Sequence, residues 1–93
     1  MKFAKQFEDR ILDGTNIFTV RNKRRDEKFT INLIDYHSSF MHSMDADVFL
    51  SMTTLGVFNS KSFGFDSNQE MYDYYDEYFW GSDDIAFLHR LSL

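Results

Sequence analysis

The chain has 93 residues, a formal net charge of −5 and no cysteine. This length fits one domain, and the lack of cysteine excludes disulfides and thiolate metal sites. The charged stretch 1–9 is not a signal peptide and no apolar run approaches the roughly 18 residues of a membrane span, so we expect a single soluble domain, 1–93, in a reducing cytoplasm.

Aromatic and charged residues are unevenly used. Eleven Phe, five Tyr and one Trp make 18% of the chain, more rings than a small core easily holds, which predicts some at a surface. A basic cluster consists of Arg21, Lys23, Arg24, Arg25 and Lys28. Seven acids lie in a later stretch without Lys or Arg: Asp66, Glu70, Asp73, Asp76, Glu77, Asp83 and Asp84.

The first half of the chain predicts a helix followed by two strands. Apolar residues recur at helical spacing over 2–13, and Gly14 is a natural stop. Residues 15–22 and 28–36 are rich in β-branched and aromatic residues, which is typical of strands. The short polar link between them predicts a β-hairpin with the basic cluster at its tip.

The middle of the chain is less clear. Residues 43–55 fit one helical face, with Ser43 or Asp45 as a cap and Gly56 as a stop, although parts of this stretch also suit a strand. We favour the helix. Residues 57–65 predict extended chain, with Gly64 at a bulge.

Ser67 and Glu70 have the spacing of a capping box, which predicts that a helix begins at Ser67. Trp80 and Gly81 mark its end. One predicted face carries Met71, Tyr72, Tyr75, Tyr78 and Phe79. The opposite face carries Glu70, Asp73 and Glu77, with Asp76 nearby.

Residues 83–92 suit either a short helix or a strand. Together these elements predict an α+β fold, a small antiparallel sheet of a hairpin and one or two further strands packed with three or four helices.

Motifs for catalysis or cofactor binding are missing from the sequence. The nearest to a metal site are His37, His42, Asp45 and Asp47, whose spacing matches no established pattern. The sequence holds neither a nucleophile elbow nor a glycine-rich phosphate loop. The clustered acids are predicted to lie on a solvated helix face, whereas a catalytic acid needs burial or a like-charge partner to shift its pKa. We therefore predict a protein that is not an enzyme and needs no cofactor.

The basic cluster suggests two further hypotheses. Cations at a hairpin tip can contact nucleic-acid phosphates, although the net acidity of the chain disfavours autonomous binding to DNA or RNA. Alternatively, Arg24 and Arg25 of one copy meet the acidic helix of a second copy, which gives a head-to-tail homo-oligomer or assembly module.

The acidic surface is the strongest functional prediction. We define it as the seven acids of 66–84 with two aromatic neighbours: Asp66, Glu70, Asp73, Tyr74, Asp76, Glu77, Trp80, Asp83 and Asp84. Neighbouring acids on a helix repel one another at a spacing of about 5–6 Å, close to that of successive phosphates in nucleic acid. Such a surface suits a basic groove on another protein, with Tyr74 and Trp80 as anchors.

In size and charge pattern the chain resembles the small anti-defence proteins of phages, including anti-CRISPR and DNA-mimic proteins. The resemblance consists of one acidic, cysteine-free domain with a patch from Asp66 to Asp84 that has no basic residue. It implies a cytoplasmic inhibitor in a bacterial host, which would occlude the nucleic-acid-binding surface of a defence nuclease, a CRISPR effector or a host regulator. The cluster Arg21–Lys28 departs from a pure DNA mimic.

Overall fold

The computed structural model describes residues 1–80 and 83–93, and the elements below are those of that part of the chain. The helices are α1 Lys5–Leu12, α2 Ala46–Thr54 and α3 Asn68–Tyr78, with a 3-10 helix at Ser60–Phe63. The strands are β1 Phe18–Arg21, β2 Glu27–Ile31, β3 Ile34–Asp45 and β4 Ile85–Ser92. The predicted α+β fold is confirmed.

All strand pairs are antiparallel, and the sheet order is β1–β4–β3–β2. The last strand, β4, lies inside the sheet between β1 and β3. Its side chains are buried on both faces, since Ala86 and Leu88 pack in one apolar cluster and Leu91 in another. Of the two alternatives for 83–92, the strand is therefore right.

The predicted hairpin between 15–22 and 28–36 is wrong. Strands β1 and β2 lie at opposite edges of the sheet. The true hairpin joins β2 to β3 through Asn32 and Leu33, with Ile31 opposite Ile34. Both turn residues have positive φ, 49° for Asn32 and 65° for Leu33, as a two-residue type I′ turn requires. The alternation of side-chain types over 28–36 continues through the turn residues, so the sequence pattern does not show that the predicted strand is interrupted there.

Residues 22–26, which we call the crossover segment, connect β1 with β2 across the intervening strands. The Arg25 backbone N–H donates to Nε2 of His89 on β4 at 2.9 Å. The Phe40 N–H on β3 donates to Oδ1 of Asp26 at 2.6 Å. The centre of the basic cluster is thus on a link that crosses the sheet and not at a hairpin tip, while Arg21 ends β1 and Lys28 lies in β2.

The predicted helices over 2–13 and 43–55 are confirmed with shorter bounds. Strand β3 runs as far as Asp45, which occupies the N-cap position of α2 but makes no side-chain capping bond. Leu55 is the C-cap, and Gly56 follows with φ of +73°, a left-handed conformation that favours glycine. Ser43 lies within β3 and does not cap the helix.

The extended chain predicted for 57–65 is wrong, because part of it forms the 3-10 helix. Asn59 caps this helix by accepting from the Lys61 N–H at 3.1 Å. Gly64 ends it with φ of +91° and lies at no bulge. A Cβ at Gly64 would come within 2.7 Å of the Phe7 ring, so this position also needs glycine for close packing.

Two apolar clusters hold the layers together. The larger joins α2, α3 and the 3-10 helix to the sheet through buried Phe49, Phe63, Met71 and Leu88 among others. The smaller places Ile11 of α1 against β2, β3 and β4. Both faces of the sheet therefore carry buried apolar side chains.

None of the helices in the part of the chain that the structure describes is both long and apolar enough to cross a membrane. The longest of them, α3, has 11 residues.

Candidate protein-binding surface

The acidic surface is built mainly on α3, whose start is fixed by local hydrogen bonds. Ser67 is the N-cap, and its Oγ accepts from the Glu70 N–H at 3.2 Å, as predicted. In return, Oε2 of Glu70 accepts from the Asp66 N–H at 3.2 Å, one residue earlier than in a regular capping box. Glu70 therefore has a structural role as well as a surface charge.

The inner face of α3 packs on the core. Met71, Tyr75 and Phe79 are buried, Tyr72 is half-buried and Tyr78 is 37% exposed. Burial raises the pKa of Tyr75 well above its ordinary value. The predicted apolar face is thus confirmed at its centre, with Tyr72 and Tyr78 along its margins.

The outer face of α3 presents its acids to solvent. Glu70, Asp73, Asp76 and Glu77 are all exposed, which confirms the predicted opposite face. Asp73 accepts from Nε2 of Gln69 at 2.8 Å, an internal contact that leaves its charge uncompensated. Because α3 contains no Lys or Arg, the helix has no counter-charge of its own.

A counter-charge does come from α1. The Arg10 guanidinium forms an ion pair with the Asp66 carboxylate, and this contact raises the pKa of Arg10. Both residues line an open groove of about 450 Å³ between α1 and α3, together with Glu70 and Asp73. The stretch 66–84 has no basic residue in sequence, but in the fold its first acid is paired.

The two predicted aromatic anchors differ in their surroundings. Tyr74 is 43% exposed, yet its ring packs against Phe7 and Phe65 at centroid distances of 5.6 and 5.3 Å. Trp80, two residues after the end of α3, is 91% exposed. Tyr74 is therefore a fixed platform, whereas Trp80 offers a whole indole ring to a partner.

Helix α2 extends the acidic surface in a way that the sequence did not indicate. Asp47 lines one groove with Asp76, Tyr72 and the apolar Leu50 and Leu55. Leu55 is 78% exposed. Like α3, α2 contains no Lys or Arg. That shared lack of basic residues was a signal available in the sequence, but only the packing of α2 on α3 places Asp47 beside Asp76.

The last two acids lie beyond Gly81 and Ser82, which are outside the described residues. Asp83 is exposed and Asp84 is half-buried. The Asp84 carbonyl accepts from the Ala46 N–H at 3.0 Å, so this end of the acidic surface lies at the start of α2. The predicted helix end at Gly81 falls on an undescribed residue; α3 itself ends at Tyr78.

The fold divides the basic cluster. Nε of Arg24 lies 2.5 Å from Oδ2 of Asp26, and its guanidinium stacks over the Phe40 ring at 4.4 Å. Lys28 is on β2 opposite His37. Half of the Arg24–Arg25 pair predicted to meet a second copy is thus already engaged within the chain.

The metal hypothesis gains nothing from the fold. His37 and His42 lie on β3, Asp45 ends that strand and Asp47 is on α2. Within residues 1–80 and 83–93, no three or more His, Asp and Glu side chains come close enough together to hold a metal ion.

Comparisons with known proteins give no match. No protein-family model, curated protein or solved structure matches the chain. The acidic surface itself therefore carries the functional inference. Its exposed carboxylates, apolar groove and free indole are suited to binding a cationic surface, because they combine long-range attraction with area for desolvated contact.

Proposed function

We propose that this protein is a small inhibitory binding protein whose acidic surface occludes the basic nucleic-acid-binding groove of another protein. One observation carries the proposal. Helices α2 and α3 together present five exposed acids and no Lys or Arg beside the 91% exposed Trp80. A solvated helix face with no binding role would gain stability from interspersed Lys or Arg, and this one has none.

The target class follows from the charge pattern. Carboxylates on successive turns of α3 resemble a row of phosphates, which favours a protein that normally holds DNA or RNA. A bacterial defence nuclease, a CRISPR effector or a host regulator is the partner that the likeness to phage anti-defence proteins implies. Trp80 and the groove residue Leu55 would supply the desolvated contact that charge alone lacks.

The proposal is tested by charge reversal away from the residues that hold the fold. Asp76→Lys with Glu77→Lys reverses two exposed charges for which the structure gives no hydrogen bond within residues 1–80 and 83–93. Asp9→Lys with Asp35→Lys is the control with an equal change of net charge elsewhere; Asp9 pairs with Lys5 and Asp35 accepts from Thr30, but both contacts are exposed and contribute little, so the fold should survive their loss. Glu70 is left in place because it bonds to the Asp66 N–H.

The experiment is a capture from bacterial lysate at low salt, followed by purification of the retained protein and a measurement of its DNA or RNA binding. We expect the wild type and the control pair to displace nucleic acid from it, and the α3 pair and Trp80→Ala to lose this effect. A retained protein that binds nucleic acid equally well with the inhibitor bound would refute occlusion. Recovery of the chain alone would favour self-association.

A further inference from the structure

A second charged site lies apart from the acidic surface. Lys2, Arg21 and Arg25 line one surface pocket of about 320 Å³ together with Met1. The three basic side chains come from the N-terminal segment, the end of β1 and the crossover segment. On a chain of net charge −5, a pocket lined by three cationic side chains and no acid is unexpected, because like charges held together repel.

Arg21 is held in place by contacts that leave part of its guanidinium free. Its Nη2 donates to the Lys2 carbonyl at 3.1 Å, and its Cζ lies 4.8 Å from the centroid of the Phe3 ring. Its Nε is buried and has no hydrogen-bond partner among the residues that the structure describes. Because this buried nitrogen is out of a ligand's reach, an acceptor in the pocket would have to meet the terminal nitrogens of the guanidinium.

Arg25 is fixed through its backbone. Its N–H donates to Nε2 of the buried His89 at 2.9 Å, while its side chain remains exposed. No carboxylate in residues 1–80 and 83–93 forms an ion pair with Arg21 or Arg25. Arg21 is thus held through its side chain and Arg25 through its backbone, and both line one pocket without an ion pair among the described residues.

Glu27 is the acid nearest to this site. Its Oε1 lies 2.7 Å from the Met1 amino nitrogen, and that contact is the main reason why the pKa of Glu27 is lowered. The charges of Arg25 and Arg21 lower it further, although neither guanidinium forms an ion pair with this carboxylate. Since Glu27 is taken up by the amino group, it does not neutralise the pocket.

We propose that the pocket of Lys2, Arg21 and Arg25 binds a phosphate-type anion. A guanidinium group presents a planar fork of donors that matches two oxygens of a phosphate, and Lys2 adds a point charge. Three cations suit a dianion better than a single carboxylate. The pocket volume is at the lower end for small-molecule sites, which fits a phosphate or pyrophosphate group. The inference is independent of the acidic surface.

The test uses the full chain with pyrophosphate and inorganic phosphate as probes, measured by calorimetry and by shifts of the Arg21 and Arg25 amide signals in NMR. We expect saturable binding that weakens about tenfold or more in Arg25→Gln. Lys61→Gln removes the same charge from the 3-10 helix and should bind as the wild type does. Arg25→Gln is chosen because its backbone contact with His89 survives the change.

The phosphate could belong to a small free anion or to a nucleic acid. A third probe, a short single-stranded oligonucleotide, distinguishes these two sources. Weaker binding of the oligonucleotide than of pyrophosphate identifies the site as one for a small anion. Tighter binding that is also lost in Arg25→Gln assigns the same pocket to a nucleic-acid phosphate. Equal pyrophosphate binding by the wild type, Arg25→Gln and Lys61→Gln, or no binding at millimolar pyrophosphate, would overturn the proposal.

Discussion

The helical half of the molecule, residues 46–79, packs on the sheet through aromatic side chains, whereas in the hairpin half, residues 22–45, the crossover segment is held by polar contacts. The ring of Phe49, for example, packs against four other rings at centroid distances between 5.2 and 6.2 Å. The crossover segment depends on His89, on Asp26 and on the Arg24–Asp26 ion pair. Apolar packing is insensitive to pH, and hydrogen bonds to titratable groups are not.

This difference teaches how the two charged sites are supported. The acidic surface rests on a rigid platform, since the side chains beneath it are buried and apolar. The basic pocket includes Arg25, whose position depends on an uncharged His89. We therefore expect the backbone beneath the acidic surface to keep its conformation over a wide pH range. The backbone at Arg25, in contrast, should become more mobile in acid. Four predictions test this comparison.

The largest effect is expected in the helical half. Phe49 is 1% exposed, so Phe49→Ala leaves a cavity among the rings and should lower the free energy of unfolding by about 3–5 kcal/mol. For a small domain this is a large part of the total stability. Urea denaturation measures it. Phe58→Ala, at a half-buried ring in the same cluster, is the control and should cost less; an equal or smaller loss for Phe49 would contradict the assigned role.

The second prediction concerns the hairpin half and pH. Nε2 of His89 must be unprotonated to accept from the Arg25 N–H, and burial lowers the pKa of His89. Nearby Asp26 opposes this shift and Arg21 adds to it. The unfolded chain then takes up the proton more readily than the folded one. The contribution to stability is present above about pH 6.5 and is lost as the pH falls below that value.

The measurement is urea denaturation between about pH 7.5 and pH 5, a range in which one group changes the stability by at most about 1.4 kcal/mol per pH unit. His89→Gln keeps an oxygen that can accept from the Arg25 N–H but does not titrate, so it should flatten the profile. The lowered pKa values of Asp26 and Glu27 act only in more acidic solution. Identical slopes for the wild type and His89→Gln would contradict the prediction.

The third prediction returns to the helical half. Ser67→Ala removes the side-chain cap of α3 and should destabilise the protein by about 1 kcal/mol. Ser67→Asp, which restores an acceptor at the cap, should recover that loss. Chemical denaturation separates the three proteins. If Ser67→Ala were as stable as the wild type, the Ser67–Glu70 hydrogen bond would contribute nothing to the start of α3.

The two halves also differ in how far the sequence predicts them. The cap at Ser67 and the stop at Gly56 are local signals, and the structure agrees with both. The period of α3 likewise predicts which acids are exposed. The pairing of β1 with β4 joins Phe18 to Arg90, residues far apart in sequence, and no local pattern specifies it. The proximity of Arg10 to Asp66 depends on tertiary packing in the same way.

At the turn of the hairpin, the prediction from sequence fails for a different reason. One of the two turn residues is of a type that rarely adopts the conformation found there. Type I′ turns favour Asn followed by Gly, and this chain has Asn32 followed by Leu33. A leucine with positive φ brings its Cβ close to the following carbonyl oxygen. The sequence therefore contains half of the usual turn signal, and the β-rich run around it suggested a continuous strand.

The smallest effect, and one of opposite sign, is expected at that turn. Leu33 is 96% exposed with φ of 65°, so its side chain contributes almost no packing while its Cβ adds strain. Leu33→Gly should raise the free energy of unfolding by about 0.5–1 kcal/mol, because relief of strain exceeds the added entropy of the unfolded chain. Leu33→Ala keeps the Cβ and should leave the stability nearly unchanged. An equal gain in both variants would assign the effect to the lost apolar side chain, whereas a loss in Leu33→Gly would show that Leu33 stabilises the hairpin and that the two halves are alike in their local fit.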